Sequence, residues 1–150
     1  MIIRDILDMK GAKLHSISPD QPLNEAVHLM MALDIGSLLV MEGEHLAGII
    51  TPHDVLRALD HCRCDLTTVP VKEVMTQNLY IGSPEDTVDD VRGVMTENHI
   101  SHLPVMEDHK LVGLISFHDV AKAALKATAF ENMLLKRYIK NWPEEEKPSA

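Results

Sequence analysis

Residues 48–54 read Gly-Ile-Ile-Thr-Pro-His-Asp, and residues 113–119 read Gly-Leu-Ile-Ser-Phe-His-Asp. The second copy begins 65 residues after the first, and the same offset aligns residues 16–59 with residues 81–124 without a gap. This alignment has 15 identities in 44 positions, and several of its mismatches exchange one apolar residue for another. Repetition at this period indicates a single supersecondary unit that is present twice.

Both copies predict the element order β-α-β-β-α. Apolar residues at helical spacing mark the first helix of each unit, and two short apolar runs joined by a tight turn mark the hairpin that follows. Thr51 and Pro52 suit the N-cap and the first position of the second helix. The predicted strands are 14–17, 38–41 and 46–50 in the first unit and 79–81, 103–106 and 111–115 in the second, and the predicted helices are 23–33, 51–59, 88–98 and one from 117 onward.

A short segment precedes the first strand of each unit. Residues 2–9 predict one or two helical turns that dock on the body of the protein, and residues 71–75 echo residues 3–7. The loop that follows is three residues longer in the first unit, because Gly11, Ala12 and Lys13 have no counterpart in the second.

The last helix is predicted to extend beyond the second unit. No Gly or Pro interrupts the chain from His118 to Tyr138, and apolar residues at helical spacing form a stripe there that we interpret as a dimer contact. We therefore divide the chain into a first unit at 1–60, a linker at 61–70, a second unit at 71–125, a C-terminal helix extension at 126–142 and a tail at 143–150 that is expected to be disordered.

Composition excludes several classes of partner. The formal net charge is −9, so the chain lacks the basic footprint that nucleic acid or an anionic membrane requires. Hydrophobic residues make up 45% of the chain, which is enough for a buried core, and no apolar stretch approaches the length of a membrane span. Cys62 and Cys64 are too close in sequence to bridge each other easily, which favours a reducing cytoplasm.

The repeated motif carries groups that suit a nucleotide. The carboxylate of Asp54 or Asp119 can accept two hydrogen bonds at once, as the paired hydroxyls of a ribose require. Thr51 and Ser116 lie three residues earlier, at a helix N-terminus where free N–H groups and the helix dipole favour a phosphate. The alternative interpretation is a capping box, in which the hydroxyl and the carboxylate only satisfy the first turn of their own helix.

Two tandem units with this motif resemble the cystathionine-β-synthase (CBS) domain pair, also called the Bateman module. Residues 100–105, Ile-Ser-His-Leu-Pro-Val, are similar to the second-strand signature of that family, and residues 130–139 are similar to the C-terminal helix of its small stand-alone bacterial members. The resemblance implies an α/β (α+β) fold of two units packed about a pseudo-twofold axis, and a homodimer. It also implies clefts for adenosine-containing ligands: AMP, ADP, ATP or NAD, with S-adenosylmethionine less favoured.

The resemblance also implies which residues form the two clefts, each of which combines one unit's motif with strand residues of the other. Cleft A is expected to contain Thr51, Asp54, Tyr80, Ile81, Ser101, His102 and Pro104. Cleft B is expected to contain Ser116, Asp119, Ser16, Ile17, Gly36 and Ser37. Cleft A is expected to bind a phosphate more strongly, because the residue of cleft B that corresponds to His102 is Ser37.

Three functional hypotheses follow. The first is a non-enzymatic regulatory module whose nucleotide-binding state is read by a separate partner protein. The second is a dimerisation scaffold with degenerate clefts. The third is a cryptic enzyme or metal sensor that uses the linker sequence His61-Cys62-Arg63-Cys64, which lacks the spacing of a zinc knuckle.

Overall fold

The computed structural model describes residues 1–11, 13–62 and 65–127. The sequence order of the helices and strands follows the predicted repeat closely. The elements are α1 (Ile3–Lys10), β1 (Ser16–Ile17), α2 (Leu23–Leu33), β2 (Leu38–Glu42), β3 (His45–Ile50), α3 (Pro52–Cys62), a 3₁₀ turn (Val71–Glu73), α4 (Val88–Glu97), β4 (His102–Glu107), β5 (Lys110–Ser116) and α5 (Phe117–Ala127).

The hairpins of the two units repeat the same pairing. In the first unit β1 lies parallel to β2, and β2 is antiparallel to β3. In the second unit β4 and β5 form the equivalent antiparallel pair, with an irregularity between Val105 and Met106 that matches the one between Val40 and Met41. The 65-residue offset seen in the sequence is therefore preserved in the hydrogen-bond register.

The strand predicted at 79–81 is wrong, and a proline explains why. Where Ile17 pairs with Val40 in the first unit, the second unit has only an isolated bridge between Gly82 and Val105. The N–H of Leu39 donates to His15 O at 3.1 Å. The residue of the second unit that corresponds to Leu39 is Pro104. Because proline has no N–H, the equivalent hydrogen bond cannot form.

Two hydrophobic cores are present, and each one is completed by a segment from the other unit. Ile3 and Ile6 of α1 are buried among residues of the second unit, such as Val88 and Ile115. Val71 is buried in the core of the first unit. Ile3 and Val71 are fully buried, and a buried side chain of this size contributes roughly 1.5–3 kcal/mol.

Backbone hydrogen bonds show that this exchange is reciprocal. We call residues 1–10 and 69–78 the leading segments of the two units. The first leading segment is held to the second unit, and the second to the first unit, by three equivalent bonds. They are Ile3 N to Asp86 O, Arg4 N to Pro84 O and Val88 N to Met1 O, and correspondingly Val71 N to Gln21 O, Lys72 N to Pro19 O and Leu23 N to Val69 O.

Helix α3 is longer than predicted, and the predicted extension of the last helix is only partly described. Helix α3 continues to Cys62, so the first residues of the predicted linker are helical. Helix α5 is described to Ala127, and the rest of the predicted extension, the apolar stripe and the tail lie outside the described residues. Within residues 1–11, 13–62 and 65–127, no helix is long and apolar enough to cross a membrane.

Candidate functional site

Cleft A is a cavity of about 510 Å³ between the two units. Its lining includes Thr51 and Asp54 from the start of α3, and Tyr80, Ser101 and His102 from the second unit. These five residues of the predicted set therefore lie around one cavity, as the pseudo-twofold arrangement requires.

The other two predicted residues of cleft A are not part of the lining. Pro104 is buried within β4, and the side chain of Ile81 is 48% exposed. Its counterpart at the 65-residue offset, Ser16, likewise does not line the cleft predicted for it.

The carboxylate of Asp54 is buried and fully engaged. The residue is only 2% exposed, and its Oδ2 accepts hydrogen bonds from Thr51 N at 2.9 Å and Thr51 Oγ1 at 3.1 Å. Its Oδ1 accepts from Arg57 at 3.0 Å and from Thr76 Oγ1 at 3.0 Å. The capping arrangement that the sequence allowed is present, and a ribose would have to replace one of these donors.

Several lining residues of cleft A lie outside the set predicted for it. They are Ile49, His53, Arg57, Thr76, Asn78, Leu79, Asn98, His99 and Ile100. The repeat could have indicated Arg57, because a basic residue lies three positions after the motif aspartate in both units and is Lys122 in the second. No sequence pattern indicated Thr76, because it lies in a leading segment outside the gapless repeat.

The mouth of cleft A carries an aromatic ring and a histidine. Tyr80 is 48% exposed, and its hydroxyl donates to Asn98 Oδ1 at 2.9 Å. His102 Nδ1 lies 3.2 Å from Ser101 Oγ. Burial lowers the pKa of His102 and the charge of Lys10 lowers it further, whereas Asp119 acts in the opposite direction. His102 is therefore neutral near pH 7, and it offers a hydrogen bond to a phosphate rather than a charge.

Cleft B is a smaller cavity of about 290 Å³. Of the predicted set, Gly36, Ser37 and Ser116 line it, and His102 closes the side toward cleft A. Its other lining residues, which are outside the predicted set, are Lys10, Lys13, Leu14, His15, Ile35 and Leu114.

Three residues predicted for cleft B lie elsewhere. Ile17 is 4% exposed and belongs to the core of the first unit. Because successive strand residues face opposite sides, Ser16 is turned away from that core and lines a different cavity. Asp119 lies behind Lys10 and lines a third cavity between α1 and α5.

Asp119 caps its helix as Asp54 does but has a different cationic partner. Its Oδ2 accepts from Ser116 N at 2.9 Å and from Lys10 Nζ at 2.7 Å. The ammonium of Lys10 also donates to Leu114 O at 2.8 Å. Burial would raise the pKa of Asp119, but the hydrogen bonds from Lys10 and Ser116 outweigh it, and the pKa is lowered.

The metal hypothesis finds no support in the part of the chain that the structure describes. No group of three or more His, Cys, Asp or Glu side chains is arranged there to hold a metal ion. Arg63, Cys64 and the side chain of Cys62 lie outside the described residues, so the linker hypothesis stays a prediction.

Comparisons with known proteins agree with this architecture. The CBS domain family model matches residues 3–61 and 71–126. A curated relative, the CBS domain-containing protein YhcV of Bacillus subtilis, is 32% identical over 117 residues, which are 77% of this chain and 82% of that protein. A crystal structure of a CBS-domain-containing protein from Agrobacterium tumefaciens superposes with a TM-score of 0.79 at 30% identity, covering 83% of this chain and 99% of that one.

A further solved structure contains ligands. It is the CBS domain pair of protein MJ0100 in complex with 5′-methylthioadenosine and S-adenosyl-L-methionine, with a TM-score of 0.72 and 25% identity over 83% of this chain and 95% of that one. The family match covers both halves of the repeat, including both copies of the motif. This chain therefore belongs to the CBS domain family and contains a pair of CBS units.

Proposed function

We propose that this CBS pair is a regulatory module that binds an adenosine-containing nucleotide (AMP, ADP, ATP or NAD) in cleft A. The observation that carries the proposal is the composition of that cavity. It is formed by both units and combines a helix N-terminus, a buried carboxylate and a half-exposed tyrosine ring. A volume of about 510 Å³ lies within the usual range of ligand pockets, roughly 300–1,000 Å³.

The side chains suggest how the ligand is divided among them. The ring of Tyr80 and the apolar Ile100 suit a purine, and the carboxylate of Asp54 suits the ribose hydroxyls. The N-terminus of α3 with Thr51 suits a phosphate. The solved complex of MJ0100 with two adenosine-containing ligands supports this ligand class.

Arg57 has a central role in this proposal. Its guanidinium is the replaceable donor on Asp54, because its side chain is 58% exposed and can turn toward solvent. When ribose hydroxyls bind Asp54, the released guanidinium lies at the same cavity and can bind a phosphate. An exchange of this kind keeps the buried carboxylate paired in both states.

Binding in this cleft would couple to the arrangement of the units. A ligand that contacts Thr51 of the first unit and Tyr80 or Ser101 of the second is sensitive to the distance between them. It shifts the protein toward whichever arrangement it binds more tightly, by as much as the difference in affinity. In our proposal the module acts as a homodimer in the cytoplasm and a separate partner protein recognises the shift.

Calorimetric titration of AMP, ADP, ATP, NAD and S-adenosylmethionine tests the proposal. We expect one of them to bind the wild type, with affinity reduced about a hundredfold in Asp54→Asn through loss of charged hydrogen bonds and about tenfold in Tyr80→Ala through loss of ring contact. Ser101→Ala should weaken binding, whereas Ser16→Ala, a matched change outside both clefts, should not.

The outcome that contradicts the proposal is equally definite. Wild-type protein, shown to be ligand-free after denaturation and chromatography of the supernatant, would bind none of the five compounds. Equal affinity in the wild type, Asp54→Asn and Tyr80→Ala would likewise remove cleft A as the site.

A second candidate function, the dimerisation scaffold, is favoured by the state of the motif aspartates. Asp54 accepts four hydrogen bonds from the protein, and Asp119 is held by Ser116 and Lys10. If the carboxylates serve only as caps, Asp54→Asn changes stability alone, and no nucleotide raises the melting temperature of either protein.

A further inference from the structure

The two motif aspartates are neutralised by cations from different parts of the chain. Arg57 reaches Asp54 from its own helix, three residues along α3. Lys10 reaches Asp119 from the end of α1, the leading segment that packs on the second unit. The pseudo-twofold axis relates the aspartates but not their partners.

Lys10 occupies the polar end of cleft B. Its Nζ lies 2.7 Å from Asp119 Oδ2 and 2.8 Å from Leu114 O, so one ammonium donates to both acceptors. The hydroxyls of a ribose are donors of the same kind. An ammonium with three N–H groups therefore satisfies the carboxylate in the way that a bound sugar would.

The cavities show the consequence of this contact. In cleft A, Thr51 and Asp54 line the same cavity. On the other side Ser116 lines cleft B, while Asp119 lines a separate cavity of about 180 Å³ between α1 and α5. Lys10 lines both of these cavities, so its side chain is the wall that separates Asp119 from cleft B.

The sequence accounts for this difference between the units. The first leading segment stays helical to Lys10, and the N–H of Gly11, at a φ of +91°, then donates to Leu7 O. The second leading segment forms only the 3₁₀ turn that ends at Glu73. By the register of the exchanged hydrogen bonds, the counterpart of Lys10 is Asn78, a neutral residue that lines cleft A.

We propose that Lys10 is a built-in competitor for cleft B and the residue that makes cleft A the one that accepts the ligand. The inference rests on the proposed function, since it assigns adenosine-type ligands to one of two related clefts. A ligand can reach Asp119 through cleft B only when Lys10 moves away from both acceptors.

Titration of adenosine into the wild type and Lys10→Met tests the inference. Adenosine carries no charge, so the loss of one lysine does not change its long-range attraction to the protein. We expect one site in the wild type and two in Lys10→Met, the affinity of the second site rising at least about tenfold. The added site should disappear in Lys10→Met/Asp119→Asn. Lys110→Met makes the same change at the exposed start of β5 and should keep one site.

The outcomes separate the two proposals. A single Asp54-dependent site in both the wild type and Lys10→Met overturns the inference and leaves the proposed function intact. Binding only in Lys10→Met, lost with Asp119→Asn, supports Lys10 as the competitor at cleft B and overturns cleft A as the adenosine site. A second site that also arises in Lys110→Met overturns the inference. The absence of adenosine binding in every protein also overturns the inference, whereas the proposed function is decided by the titration of the five compounds named above.

A measurement without ligand checks the contact itself. In the ¹³C NMR spectrum, the carboxyl resonance of Asp119 should titrate at a higher pH in Lys10→Met than in the wild type, because its strongest cationic partner is gone. An unchanged titration would show that Lys10 does not hold Asp119 in solution, and the inference would fail.

Discussion

Asp54 and Asp119 occupy the same position of the repeat and cap equivalent helices, yet their environments differ. The side chain of Asp54 is 3% exposed and has partners in both units, since Thr76 belongs to the second leading segment. The side chain of Asp119 remains 20% exposed and takes its cation from α1. The repeated sequence sets the position of each carboxylate, and the leading segments, which do not repeat closely, decide what surrounds it.

The leading segments are alike where they enter the opposite core and differ afterwards. Ile3 and Val71 are equivalent buried anchors, and the ion pair of Lys72 with Asp20 corresponds to the contact of Arg4 with Glu85. Beyond these anchors α1 continues as a helix, while the second segment leaves helical geometry and Thr76 exchanges two backbone bonds with Ile49. The asymmetry of the clefts originates at this point.

The largest expected effect comes from removing the two aspartates separately. Asp54→Ala removes a buried carboxylate that caps α3 and accepts charged hydrogen bonds from Thr51, Arg57 and Thr76, and we expect it to lower the free energy of unfolding by about 3 kcal/mol. Asp119→Ala removes a helix cap and a partly exposed ion pair, and about 1 kcal/mol is expected. Urea denaturation at pH 7 measures both.

A matched control separates burial from the loss of a charge. Asp89 and Arg92 form an ion pair with the same three-residue spacing on α4, but the side chain of Asp89 is 81% exposed. Asp89→Ala should change the free energy of unfolding by less than about 0.5 kcal/mol. Equal losses in Asp54→Ala and Asp119→Ala would show that the two environments do not differ in the way described.

The next effect concerns the glycines against which the leading segments pack. A Cβ on Gly48 would lie 2.7 Å from Thr76 O, a backbone atom, whereas a Cβ on Gly113 would meet the end of the Leu7 side chain. A side chain can rotate away and a paired strand cannot. We therefore expect Gly48→Ala to destabilise the protein by about 2 kcal/mol and Gly113→Ala by about 1 kcal/mol or less, measured by thermal and urea denaturation.

The control for this pair is Gly93→Ala in helix α4, where a Cβ would meet nothing within 4 Å. That substitution should stabilise the protein slightly, because alanine is the better helix former by about 1 kcal/mol. If Gly113→Ala proved more damaging than Gly48→Ala, the second leading segment would be the less firmly held of the two.

The repeat made most of the fold predictable from the sequence. The 65-residue offset in the sequence is the offset of the strand register, and the Thr51 and Ser116 positions begin helices as their motif indicates. The prediction of a strand at 79–81 was wrong because a pattern of apolar residues does not reveal that the neighbouring strand has Pro104 at the pairing position. Strand prediction treats each segment alone, whereas a ladder depends on both members.

The lining of cleft A was predictable where it follows from the repeat or from the family resemblance. Thr51, Asp54, Ser101 and His102 were found because their positions follow from the motif and the family resemblance. Lys10 was not, because its approach to Asp119 depends on the exchange of leading segments between units. That exchange is a long-range packing event, and the local sequence around residue 10 shows no more than a short helix.

The smallest effect tests the residue that separates the two clefts. His102 lies between them, and burial, together with Lys10, lowers its pKa below the ordinary value of 6.5. Between pH 6.5 and the lowered pKa, the unfolded chain binds more protons at this histidine than the folded protein does. The contribution of neutral His102 to the free energy of unfolding is therefore fully present above pH 6.5, and it is lost as the pH falls through the folded pKa. His102→Gln should therefore lose less stability than the wild type between pH 7.5 and pH 5, as urea denaturation at several pH values would show.

His28→Gln, a change at an exposed histidine of α2, serves as the control. Lys10→Met should also flatten the wild-type dependence, because it removes the second cause of the lowered pKa. If the wild type and His102→Gln lost stability equally, His102 would not be the buried neutral boundary between the clefts.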